Sequence, residues 1–116
     1  MPKQKQKTQR QILFVDELPS FARQLSPFIS TGDCICLSGD LGTGKTSLVH
    51  ALLQEWGLPD HAPFSSPTFT ILNTYPFAEK IVYHIDLYRL ATFSEVEKLD
   101  LIPLLESPEA VTLIEW

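Results

Sequence analysis

The chain has 116 residues, 44% of them hydrophobic, with 14 acidic against 9 basic residues, enough for one domain with a modest core. No apolar run approaches the roughly 20 residues of a membrane helix and the N-terminus lacks the apolar stretch of a secretory signal, so a cytoplasmic location is expected. Lys3, Lys5, Lys7 and Arg10 lie in the first ten residues and every acid follows them, so the acidic body argues against a direct grip on nucleic acid.

Residues 1–10 read as a basic, solvated leader without structure of its own, and 11–116 as a single domain. Residues 11–15 suggest a short strand, and 19–28 a helix with Phe21, Leu25 and Phe28 on one face. Thr31-Gly32-Asp33 is a turn, after which Cys34-Ile35-Cys36-Leu37-Ser38 suits a buried parallel strand. Cys34 and Cys36 alternate along that run and read as small core residues: there is no third cysteine for a four-ligand zinc site, and a disulfide between residues two apart on one strand is geometrically poor.

Gly39-Asp40-Leu41-Gly42-Thr43-Gly44-Lys45-Thr46 then spells G-x-x-x-x-G-K-T, the loop that turns backbone N–H groups toward nucleotide phosphates and sends a lysine to the β and γ oxygens. Glycines let consecutive amides converge on an anion, and the following helix N-terminus adds partial positive charge. That helix is expected from Ser47 onward, with Leu48, Val49, Leu52, Leu53 and Trp56 on one face and Gly57 as its end. Strand, loop and helix thus occur in the order phosphate binding needs.

Residues 59–67, rich in proline and serine, read as a surface loop. Two strand-like runs, 69–75 and 80–86, are close enough to form a hairpin. Residues 94–105 are helical but interrupted by Pro103, with Ser94 as a cap and Glu97 completing a capping box. Residues 111–116 form an apolar strand that closes on Glu115 and Trp116.

A phosphate loop works with magnesium, and the ion calls for a carboxylate at the end of a neighbouring buried strand. Glu115 and Asp86 both end apolar runs; Thr46 and Glu115 are assigned to the metal, and Asp86 to the attacking water or to the outer metal shell. Lys45 would offset phosphate charge, and Arg89, one of few cations after the loop, is a candidate for the charge that develops in the transfer. Ser66 and Thr68 could present hydroxyls to a γ-phosphate, while His84 reads as a hydrogen-bonded core residue. The single asparagine, Asn73, is followed by Thr74 and does not begin the Asn-Lys-x-Asp element that selects guanine, so ATP is the expected nucleotide.

Four elements in order, G-D-L-G-T-G-K-T at 39–46, S-P-T-F at 66–69, H-I-D-L-Y-R-L at 84–90 and L-I-E-W at 113–116, closely resemble the bacterial TsaE (YjeE) ATPases. The resemblance implies an α/β, P-loop NTPase-like three-layer sandwich, its mixed sheet flanked by helices on both faces and lacking C-terminal strands, since family members continue past the I-E-W element. It implies an ATP- and Mg2+-dependent ATPase that serves the TsaD and TsaB proteins in threonylcarbamoylation of adenosine 37 of tRNA, with tRNA touched through those partners. Carried over by position, nucleotide contacts fall on Asp40, Leu41, Gly42, Thr43, Gly44, Lys45, Thr46 and Ser47, metal contacts on Thr46 and Glu115, and switch-like segments on Ser66 to Phe69 and His84 to Arg89. A further contact is implied at the start of the first helix, at Asp16 or Glu17. The competing readings are a nucleotide-dependent protein-binding module without useful turnover, and a small-molecule kinase, which Arg89 as the lone arginine after the loop disfavours.

Overall fold

A computed structural model of the chain describes residues 14–39, 43–67, 70–88, 90 and 93–116. Helix α1 (Leu18–Leu25) starts with Pro19 in its first turn, where a missing N–H costs nothing, and runs on into a 3-10 turn, Ser26–Phe28. Strand β1 (Cys34–Leu37) leads to helix α2 (Lys45–Glu55). An antiparallel pair follows, β2 (Leu72–Pro76) and β3 (Ile81–Asp86), then short helices α3 (Phe93–Lys98) and α4 (Ile102–Leu105), and strand β4 (Ala110–Glu115).

The four strands form one mixed sheet in the order β1-β4-β3-β2, with β4 parallel to both β1 and β3. All six residues of β4 are buried, as expected for a strand paired on both edges and covered on both faces. Because side chains alternate, Val111, Leu113 and Glu115 share one face with Val82 and His84, while Ile85 and Ile114 point to the other. The first face packs on α1 and α2 through Ala22, Val49, Leu52 and Leu53. On the second, Ile85 and Ile114 meet Leu101, Leu104 and Leu105 around α4. Helices therefore cover both faces of a mixed sheet, the three-layer arrangement expected.

Several local expectations are corrected. Residues 11–13 lie outside the described residues, but Val15 opens a 3-10 turn (Val15–Glu17) and is no strand. β1 has a strand neighbour on one side only among the described residues, and Cys34 and Cys36 are exposed, not core. Ile35 and Leu37 carry the buried side of β1, while the thiols point to the face that α4 leaves uncovered. Partial burial, reinforced by Cys36 alongside, pushes the Cys34 thiol up from its ordinary value. The helix expected at 94–105 breaks before Pro103: Asp100 takes φ 53°, and Pro103 sits in the first turn of α4. Ser94 lies inside α3 and not at its cap.

Candidate nucleotide and metal site

The register sets Leu37, Glu115 and Asp86 side by side at the carboxyl ends of three parallel strands, the edge where ligands of such sheets gather. Beyond β1 the next described element is α2. Gly44, the N-cap of α2, takes φ 95°, a left-handed conformation that glycine adopts without steric cost. At Gly39 the constraint is space, since a Cβ there would stand 2.9 Å from Thr43 Oγ1.

Lys45 opens α2 and its Nζ donates to the carbonyl of Gly39 at 2.5 Å and to that of Trp116 at 2.9 Å. The ammonium thus spans the ends of β1 and β4. Thr46, next on the helix, donates from Oγ1 to Glu115 Oε1 at 2.6 Å. Glu115 is only 4% exposed, and its second oxygen, Oε2, lies 2.5 Å from Nε2 of the fully buried His84. A buried carboxylate without partners would be prohibitively costly; here a hydroxyl and an imidazole engage both oxygens.

Asp86, also buried, accepts the Tyr88 amide at Oδ1 (2.9 Å) and the Ser66 hydroxyl at Oδ2 (3.2 Å). The loop that carries Ser66 is tied down a second time, because Asn73 on β2 donates to the Ser65 carbonyl at 3.1 Å. Between this loop and β2, Ile71 holds φ 70°, a left-handed conformation that strains a β-branched residue by about 1–3 kcal/mol. Its carbonyl accepts the Asp86 amide at 2.9 Å, so the strained link is anchored to the strand end that bears the carboxylate.

Of the residues singled out from sequence, Lys45, Thr46, Glu115, Asp86 and Ser66 converge at this sheet edge. Gly44 and Thr43 line the adjoining cleft of about 510 Å³, walled by Phe14, Val15, Leu18 and Leu48, while Ser47 is exposed on the first turn of α2. Glu17 uses its carboxylate to accept the Phe14 amide at 3.1 Å within its own turn. Asp40, Leu41, Gly42, Thr68 and Arg89 lie outside the described residues. The residue that sequence reasoning undervalued is His84. Its signal was parity: two positions before Asp86 on one strand, it must share that residue's face.

The donor set suits magnesium, which takes hard oxygen ligands. Thr46 and Glu115 supply a hydroxyl and a carboxylate oxygen already within contact of each other, and among the described residues no group of three or more His, Cys, Asp or Glu offers a competing cluster.

A mixed sheet with a glycine turn, a lysine, a helix-borne hydroxyl and a strand-end carboxylate at its carboxyl edge defines a phosphate-loop α/β domain. A model of the family described as "Threonylcarbamoyl adenosine biosynthesis protein TsaE" matches residues 14–116. The chain belongs to the TsaE family. Among its relatives, each named tRNA threonylcarbamoyladenosine biosynthesis protein TsaE, that of Borreliella burgdorferi is 35% identical over 84% of this chain and 69% of its own length. The protein of Haemophilus influenzae is 40% identical (71% of this chain, 50% of its own), and that of Synechocystis 41% (83% and 61%). The crystal structure of Bacillus subtilis YdiB superposes with a TM-score of 0.67 at 27% identity, covering 90% of this chain and 61% of that one. The chain thus spans from half, 50%, to about two thirds, 69%, of the length of these relatives.

Proposed function

We propose that this chain is the ATP-binding and ATP-hydrolysing component of the machinery that makes N6-threonylcarbamoyladenosine at position 37 of tRNA. Its nucleotide cycle would support turnover of a complex of TsaD- and TsaB-like proteins in the cytoplasm. The observation that carries this reading is the convergence of Lys45, Thr46 and Glu115, from a helix start and a strand end, on one sheet edge.

In this reading Asp40 to Ser47 cradle the phosphates, and the Lys45 ammonium, now held by two carbonyls, turns to phosphate oxygens that accept more strongly. Thr46 and Glu115 would hold Mg2+, which when bound would supply positive charge to offset that of the phosphates. Asp86, at the same level as Glu115 and fixed by Ser66 and the Tyr88 amide, orients the attacking water. Arg89 and Thr68 are assigned to the developing charge and the γ-phosphate, and Glu17 to the nucleotide, on sequence grounds. Residues 11–116 belong to one phosphate-loop domain, and because this body is acidic, tRNA is reached through the partners. No helix among the described residues is long and apolar enough to cross a membrane.

The test is phosphate release from ATP and Mg2+ with and without the two partner proteins. Slow release alone and faster release in their presence is the expected result. No hydrolysis in either condition, with nucleotide still changing partner affinity, would replace this reading by the binding-module one; labelled phosphate passing to a metabolite would replace it by a kinase.

A further inference from the structure

We infer that His84 is a positioning residue that sets the orientation of the Glu115 carboxylate, so that one oxygen stays on Thr46 while the other is held from behind. The inference rests on the metal assignment proposed above and deepens it.

Glu115 is gripped at two points, by Thr46 Oγ1 at 2.6 Å and His84 Nε2 at 2.5 Å, and both grips trace back to α2. Thr46 belongs to that helix. His50, four residues on and so on the same side of the helix, stacks its ring on Phe64 with centroids 4.2 Å apart and planes 5° from parallel. Phe64 in turn lies parallel to the His84 ring, 2° between planes at 6.0 Å. Hydroxyl, carboxylate, imidazole, phenyl ring and helix thus form a closed circuit that fixes the His84 ring plane, and with it the direction of Nε2.

The proton on that ring is assigned by its surroundings. Nδ1 of His84 is buried with no hydrogen-bond partner among the described residues, whereas Nε2 faces a carboxylate oxygen. A proton on Nε2, donated to Glu115 Oε2, satisfies the contact, while a proton on Nδ1 would meet no acceptor among the described residues. His84 is therefore a one-directional donor. A glutamate held at one oxygen only could swing about its remaining torsions; held at both, it meets the cation already oriented, and outer partners of this kind characteristically govern metal affinity. A histidine that merely filled the core would be replaceable by any flat ring.

That contrast supplies the test, made on the whole chain by calorimetric titration of ADP in EDTA and over a Mg2+ series. His84→Phe keeps the stack on Phe64 but has no donor; His84→Gln places an amide N–H near the Nε2 position; His84→Asn carries the same amide too short to reach. For His84→Phe, ADP affinity in EDTA stays at the wild-type value, while the Mg2+ concentration for half the metal-dependent gain rises about 10–100-fold. His84→Gln restores most of that loss and His84→Asn does not. In a Glu115→Ala background, His84→Phe adds no further loss. Should His84→Phe fail to give a cooperative melt, the Gln and Asn variants decide the matter alone. Equal Mg2+ dependence in wild type and His84→Phe, or no difference between Gln and Asn, overturns this inference only. A wild-type chain that binds no ADP overturns the functional reading and this inference together.

Discussion

Replacing Thr46 by serine or by alanine isolates one hydroxyl at the centre of the site. Both changes remove the methyl group, but only alanine removes the Oγ that donates to Glu115 Oε1 at 2.6 Å. Because Glu115 is 4% exposed, solvent cannot replace the lost partner, and a hydrogen bond to a charged group is worth about 1.5–3 kcal/mol. Alanine recovers roughly 0.5 kcal/mol as the better helix former, which leaves Thr46→Ala about 1–2.5 kcal/mol less stable than Thr46→Ser. For a domain of this size each kcal/mol moves the melting temperature by about 4 °C, so the alanine variant should melt roughly 4–10 °C lower. The melts are followed by circular dichroism in EDTA without nucleotide, so that ligand binding adds nothing to either variant. If the two melt within about 1 °C of each other, the hydroxyl does not hold the carboxylate in solution, and the geometry assigned to the metal site is wrong.

Lys45→Ala should cut nucleotide affinity by at least about 100-fold, the value of two charge-assisted hydrogen bonds to phosphate; calorimetry showing unaltered affinity would remove the loop from the site. Leu113→Ala, at a fully buried position on β4, should cost about 2–5 kcal/mol in urea unfolding, and a loss below about 1 kcal/mol would mean that β4 is not central to the core. Both thiols should react with a disulfide reagent in the native protein, since Cys34 and Cys36 are exposed; reaction only after unfolding would restore the buried-strand reading. Burial raises the Cys34 thiol and its neighbour raises it further, so less thiolate is present at a given pH than on an ordinary cysteine. Cys36→Ala should therefore speed alkylation of Cys34 near about pH 8, without bringing it fully to the rate of a free thiol.

The elements that carry the loop were legible because each rests on local pattern. Helix α2, strand β3 and the buried run of β4 emerge within a residue or two of their expected bounds, and β2 begins three residues later than expected, at Leu72. What was not legible depends on strand order. An apolar four-residue run such as β1 looks the same whether it lies inside a sheet or at its edge, so the exposure of Cys34 and Cys36 followed only from the observed β1-β4-β3-β2 arrangement. The role of His84 was hidden for the same reason: its parity with Asp86 was visible, but that Glu115 would come level with Asp86 required the parallel pairing of β3 with β4. The break before Pro103 was misplaced because Asp100, one of the residues that tolerate a left-handed backbone, ends the preceding helical segment before proline exerts its own constraint.

Strand β4 lies between β1 and β3, so Cys34 finds its partner, Thr112, across most of the sequence, and Tyr83 meets that same threonine from the other side. The sheet cannot close until this distant segment has docked, and such closure is slow because chain entropy is lost before the contacts that reward it form. Glu115 travels on that segment. Arrival of the acid proposed to hold the metal and completion of the hydrophobic interior thus coincide, and a population arrested just short of that docking would retain helices and hairpin yet lack the proposed cation ligand.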